Sequence, residues 1–212
     1  MFWTFVFIVI FSYLLGSIPS AYLACKIKLG KDIRTMGSGN MGTTNAFRVL
    51  GPGLGIAVFA VDVMKAWIAV YIGKTMGGVP GAMLSVFFVV AGHMWPVWLD
   101  FKGGKGMACG CGILLALLPY HAMVLLPLFA VVLLLTGYVS LASLSAAVVA
   151  PFLAIFFHIP WQYELVLIVI VIGIIYKHRS NWQRIRNGVE YQFGFAVFKN
   201  KPFSKKNPGG KL

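Results

Sequence analysis

Three short stretches of this 212-residue chain hold most of the side chains able to handle an anion. The first runs from Lys31 to Arg48 and contains Gly37-Ser38-Gly39-Asn40-Met41-Gly42-Thr43-Thr44-Asn45. Glycines let backbone N–H groups converge on an anion, and Ser38, Asn40, Thr43, Thr44, Asn45 and Arg48 add further donors. The second, Phe101-Lys102-Gly103-Gly104-Lys105-Gly106, again pairs glycines with cations. In the third, Lys177-His178-Arg179-Ser180-Asn181-Trp182-Gln183-Arg184, a helix would put His178, Asn181 and, less closely, Arg184 on related faces. That patch would present a titratable ring, an amide and a guanidinium.

Two familiar phosphate motifs are excluded. Gly37, Gly39 and Gly42 satisfy G-x-G-x-x-G, and Asp62 lies 20 residues on, but a long apolar segment precedes them where a dinucleotide fingerprint needs a strand. The second stretch is no Walker loop, since Gly106 replaces the Ser or Thr after the lysine. Gly106 and Gly110 form G-x-x-x-G, read here as a helix-packing face. Cys25, Cys109 and Cys111 give neither a disulfide framework nor a zinc pattern, so no metal or cofactor is expected. Acids are few: Asp32, Asp62, Asp100, Glu164 and Glu190. His93 has no carboxylate nearby in sequence and, close to Trp95, Trp98 and Phe101, reads as an interfacial residue, as do His121 and His158. A His–Asp dyad is therefore unsupported, and catalysis by orientation and electrostatics fits the abundance of N–H, amide, Lys and Arg donors.

The elements that must position these residues are membrane helices. The chain is 59% hydrophobic and 11% charged, with mean hydropathy +0.86, which excludes an ordinary soluble globule. Spans are expected at Trp3 to Cys25, Gly53 to Gly73, Gly81 to Leu99, Leu141 to His158 and Tyr163 to Lys177, with two short ones within 107–138 joined near Pro119. Of the 18 Lys and Arg, five fall in 26–52, two in 99–106 and nine in 177–212. If these segments face the cytoplasm, the N-terminus is periplasmic, the C-terminus cytoplasmic and the span count odd, which seven satisfies. The expected fold is thus all-α: one polytopic seven-helix domain, 1–203, followed by a basic tail, 204–212, attracted to anionic lipid. Long apolar runs between the basic residues exclude a nucleic-acid face. Asp62 and Lys65, three apart within a span, read either as functional ions or as a neutralising pair that closes a polar cavity, and both readings imply a wet or polar interior.

With these residues in view, the chain resembles the bacterial acyl-phosphate:glycerol-3-phosphate acyltransferase (PlsY) family over nearly its whole length. The matches are Gly-Ser-Gly-Asn with Thr44-Asn45 and Arg48, then Gly92-His-x-Trp-Pro-Val through Phe101-Lys-Gly-Gly-Lys-Gly, then His178-Arg179-x-Asn181 through Gly188-x-Glu190. The resemblance implies a seven-helix protein of the bacterial inner membrane, with its active site facing the cytoplasm. It would move a fatty acyl group from acyl phosphate to the 1-hydroxyl of glycerol 3-phosphate, giving lysophosphatidic acid and phosphate. Membrane lipids and a soluble enzyme that makes acyl phosphate would be its further partners. It implies catalytic roles for Ser38, Arg48, Lys105, His178 and Asn181, and phosphate or substrate binding by Gly37, Gly39, Asn40, Thr44, Asn45, Gly103, Gly104, Gly106 and Ser143. Asp62, Lys65 and Glu190 would be structural, Glu190 holding the tail against the loops. Acyl phosphate is a mixed anhydride with a good leaving group, so its own phosphate oxygens could take the hydroxyl proton; His178 as base is the alternative. Two departures are Ala66, where the family often has Gly after Asp-x-x-Lys, and Cys109, where Thr is usual after Gly-Lys-Gly. An anion or lipid-phosphate transporter is the competing function, and a membrane scaffold the third.

Overall fold

The computed structural model describes residues 1–193, so the 204–212 tail lies outside the described residues. Within 1–193 the chain is all helical, with no strand. By length and hydropathy four helical segments can cross a membrane, or five if a bent pair near the C-terminus acts as one.

The first segment is not the single helix expected from Trp3 to Cys25. α1 (Phe2–Gly16) and α2 (Ser20–Leu29) are separated by Ser17-Ile18-Pro19. Pro19 has no N–H to continue the ladder, and Ser17 Oγ donates back to Tyr13 O at 2.8 Å. At the break Ile18 O accepts from Ser20 N at 3.1 Å and has room for a second donor. Lys65 Nζ supplies it at 2.9 Å, while Asp62 Oδ1 accepts from Lys65 at 2.7 Å and from Ser20 Oγ at 2.8 Å. The Asp62–Lys65 pair therefore holds the two halves of the first segment to a neighbouring helix.

α2 ends at Gly30, whose φ of 68° gives the left-handed turn a helix end favours. A loop leads to α3 (Thr43–Leu50), an amphipathic helix that buries Asn45, Ala46 and Leu50. α4 (Pro52–Met94) spans 43 residues, about 64 Å if straight and twice a bilayer core. It is not straight. Gly78, with φ 59° and ψ −144°, folds it back just before Pro80, so that a methyl group added at Gly73 would overlap Ser85 Oγ across the fold. The two limbs correspond to the expected segments 53–73 and 81–99.

α5 (Met107–Leu117), with 11 residues, is short of a full crossing, and Pro119 starts α6 (Pro119–Thr136) at the expected junction. α7 (Val139–Phe156) and α8 (Trp161–Lys177) follow, and α9 (Arg179–Arg186) turns away from α8 by 47° at His178. Small residues set the packing. α7 buries Ala142, Ser143, Ala146, Ala147, Ala150 and Ala154, the pattern that lets membrane helices approach closely. The G-x-x-x-G expectation is corrected: Gly110 meets nothing, whereas a methyl at Gly112 would overlap Val63 O and sit 3.1 Å from the Ala66 methyl. Gly112 thus supplies the close approach that Ala66 takes away. His121, expected at an interface, is buried against Phe157 instead.

Candidate active site

The loop before α3 is folded around one amide. Asn45 Oδ1 accepts from Ser38 N at 2.8 Å, and Asn45 Nδ2 donates to Met36 O at 3.0 Å and Asn40 O at 2.9 Å. A side chain that is 1% exposed therefore shapes the turn that carries Ser38 and Asn40. Gly37 and Gly39 take φ of 59° and 71° there, and a methyl at Gly37 would overlap Asn45 Oδ1. Neither glycine lines the cavity described below, so they build the turn rather than form its wall.

Gly103 and Gly104 are likewise placed differently from a phosphate cradle. Their N–H groups donate to Met94 O at 3.2 Å and His93 O at 3.0 Å. A methyl on Gly104 would overlap His93 Nε2, and one on Gly103 would overlap His93 O. These glycines let the loop lie flat on the end of α4 and so aim Lys105. Gly106, at φ 87°, turns the chain into α5 and does line the cavity.

Lys105 reaches Asn181 Oδ1 on α9. Asn181 Nδ2 in turn donates to Glu190 Oε1 at 2.6 Å; Ser140 Oγ donates to the same oxygen at 2.9 Å, and Arg184 Nε donates to Oε2 at 2.6 Å. His178 Nδ1 lies 2.8 Å from Ile174 O, which assigns the ring proton to Nδ1 and leaves Nε2 as an acceptor. Arg48 is half-buried, and its Nε has no hydrogen-bond partner among the described residues. Burial pushes the Arg48 guanidinium below its usual pKa. Burial, followed by repulsion from Arg184, brings the Lys105 ammonium down to about 8.

These groups surround a cavity of about 480 Å³. Ser38, Asn40, Thr44, Asn45, Arg48, Lys105, Gly106, Ser143, His178, Asn181 and Glu190 all line it, so residues from all three polar stretches meet in one place. Beyond them most of the wall is apolar, formed by side chains such as Ile113, Leu125, Phe129, Ala146 and Ile170, with Asp62 and His93 as polar exceptions. Two cations at one end and hydrocarbon along the rest suit a ligand with an anionic head and an apolar chain.

One expectation needs correction. His93 is not interfacial: it is 7% exposed, and its Nδ1 lies 3.6 Å from Asp62 Oδ1, with both residues on the cavity wall. That carboxylate is 31 residues away in sequence, and only the fold in α4 brings it near. Glu190 accepts from Ser140, Asn181 and Arg184 and so holds the amide that faces Lys105. Ser140 and Tyr191, which sequence reasoning did not single out, belong to the same surroundings; nothing local in the sequence distinguishes them.

Fold and cavity define an all-helical membrane protein whose site joins cations to a mostly apolar wall. Comparisons with known proteins agree with this class. The profile described as glycerol-3-phosphate acyltransferase matches residues 6–188. Glycerol-3-phosphate acyltransferase of Syntrophomonas wolfei is 39% identical over 183 residues, covering 86% of this chain and 94% of that protein. The Thermoanaerobacter sp. protein of the same name is 41% identical over 185 residues, covering 87% and 93%. Among solved structures, the glycerol 3-phosphate form of PlsY, an integral membrane glycerol 3-phosphate acyltransferase, superposes with a TM-score of 0.86 at 38% identity, covering 90% of this chain and 96% of that one. Its lysophosphatidic acid form gives 0.82 at 37% identity, covering 90% and 95%. The chain belongs to the glycerol-3-phosphate acyltransferase family.

Proposed function

We propose that this protein transfers a fatty acyl group from acyl phosphate to the 1-hydroxyl of glycerol 3-phosphate, releasing 1-acylglycerol 3-phosphate and inorganic phosphate. The observation that carries this reading is the single cavity joining Ser38, Arg48, Lys105, His178 and Asn181 to a long apolar wall. The acyl chain would lie along that wall, and both phosphates at its cationic end.

Arg48 and Lys105 bind phosphate oxygens, with Lys105 steadied by Asn181. Ser38, Asn40, Thr44 and Ser143 add hydroxyl and amide partners at the same end. His178 takes a glycerol hydroxyl hydrogen bond through Nε2, the nitrogen that Ile174 O leaves free. The 1-hydroxyl oxygen attacks the acyl carbonyl carbon, the bond from that carbon to the phosphate oxygen breaks, and the hydroxyl proton passes to the departing phosphate. Phosphate is both leaving group and proton acceptor, so the protein supplies alignment and positive charge. Asp62 and Glu190 already hold other groups and are not bases in this scheme.

The topology that goes with this reading has seven crossings: the α1–α2 segment, two limbs of α4, α5 in spite of its 11 residues, α6, α7 and α8. The N-terminus is periplasmic, and the active site and C-terminus face the cytoplasm of a bacterial inner membrane. Residues 1–203 act as one domain, and the basic 204–212 tail meets anionic lipid. A soluble enzyme delivers acyl phosphate from the cytoplasmic side.

The test is acyl transfer by purified protein in detergent or lipid mesophase, with palmitoyl phosphate and labelled glycerol 3-phosphate. Labelled lysophosphatidic acid is expected. Well-folded protein that forms none overturns the reading, and transport of a phosphate-bearing solute becomes the next assay. Palmitoyl-CoA supplied in place of palmitoyl phosphate should give no product.

A further inference from the structure

Among the described residues, Arg48 enters the cavity without a carboxylate of its own. The nearby acid, Glu190, has its oxygens engaged by Asn181, Ser140 and Arg184. What covers the guanidinium is a ring: Arg48 Cζ lies 4.3 Å from the centroid of Tyr191. Tyr191 does not line the cavity, so the ring backs the guanidinium from outside the wall.

The ring is fixed in place. Its hydroxyl donates to Gly37 O at 3.2 Å, in the turn that presents Ser38. Two residues on, Phe193 N donates to Gly137 O at 2.7 Å, and the Phe193 ring meets Phe47 edge-on at 6.1 Å. Both sides of Tyr191 in the chain are thus anchored, by Glu190 and by Phe193.

An aromatic face attracts a guanidinium through its quadrupole and takes up none of its N–H groups. A carboxylate here would form ionic hydrogen bonds and compete with any incoming phosphate. We propose that Tyr191 is a positioning residue for the phosphate-bearing substrate: its ring holds Arg48 at the cavity wall while leaving the guanidinium N–H groups to the anion. This rests on the reading of Arg48 as a phosphate ligand.

The experiment compares wild type with Tyr191→Leu, which keeps apolar bulk, Tyr191→Phe, which keeps the ring, and Tyr191→Glu, which adds a competing anion. Calorimetric titration with glycerol 3-phosphate, without acyl donor, reads binding; turnover at saturating substrate reads kcat. Thermal unfolding of each variant checks its fold. Tyr191→Leu should weaken binding and raise KM by about 3- to 30-fold, with kcat within about twofold of wild type. Tyr191→Phe should stay within about twofold, and Tyr191→Glu should bind more weakly than Tyr191→Leu. Unchanged binding in Tyr191→Leu overturns the proposal. So does equal weakening in Leu and Phe, which would assign the effect to the Gly37 tether. Wild type that binds glycerol 3-phosphate but makes no acyl product overturns the acyltransferase reading alone, since the ring is still read in the binding series. If wild type does not bind it, the same titration with inorganic phosphate reads the ring independently of the substrate.

Discussion

Two groups of buried charge lie within this helical bundle, and they are built on opposite plans. Around Asp62, one carboxylate meets the Lys65 ammonium, the Ser20 hydroxyl and the His93 ring, and the lysine also caps Ile18 O. Charge there is balanced inside the protein. Around Arg48 and Lys105, the nearby carboxylate, Glu190, is held by Arg184, Asn181 and Ser140. Positive charge is left in surplus, desolvated and on a cavity wall. Balanced buried charge holds helices together, whereas unbalanced buried charge lowers stability until an anion arrives.

Breaking the balanced group should have the largest effect on stability. Lys65→Met would leave Asp62 buried with only the Ser20 hydroxyl and the His93 ring beside it, costing about 3–5 kcal/mol, whereas Asp62→Asn with Lys65→Met should recover most of that. Thermal unfolding in detergent reads both, and a single variant as stable as wild type would erase the distinction between the two groups.

The surplus group should answer oppositely. Lys105→Ala should lower acyl transfer by about 10²–10³-fold without lowering the unfolding midpoint, because it removes a desolvated cation repelled by Arg184 and Arg48. Loss of fold along with activity would put Lys105 in the first category. A third prediction concerns packing between the groups: Gly112→Ala should cost about 1–3 kcal/mol by overlap with Val63 O, while Gly110→Ala should cost nothing. Equal effects on the unfolding midpoint would restore Gly106 and Gly110 as the packing face.

The smallest effect is in pH. Lys105, brought down to about 8, carries its charge below that pH and loses it above. Substrate binding should therefore weaken as pH rises through about 8, by up to about tenfold per unit where this charge is essential. Stability moves the other way. Between about 8 and the ordinary lysine value of about 10.5, the unfolded chain holds the proton that the folded chain has released, so stability rises with pH. KM and the unfolding midpoint measured across pH 7–10 test both signs, and Lys105→Ala should flatten both trends.

What the sequence made legible was local. Hydropathy marked the apolar segments, and the residue types in the three polar stretches announced donors for an anion; all three meet in the cavity. What it concealed depends on which helices become neighbours. Asp62 and His93 are 31 residues apart, and nothing but the fold at Gly78 makes them partners. Gly103 and Gly104 looked like anion binders because glycine serves both purposes, backbone exposure and close packing; only the His93 ring beneath them separates the two. The break at Ser17–Pro19 was masked because a run of apolar residues reads the same whether its helix is continuous or interrupted.

That break bears on how the chain assembles. A ribosome delivers Ile18 to the membrane well before Lys65, 47 residues later, so the first segment enters with its Ile18 carbonyl held only by the short-range contact from Ser20 N at 3.1 Å. Until the next helix brings its ammonium, that site favours water or the headgroup layer over hydrocarbon. Insertion of the first segment should therefore be reversible when translated alone and become stable once residues 52–77 follow. Glycosylation tags on truncated nascent chains would time that transition.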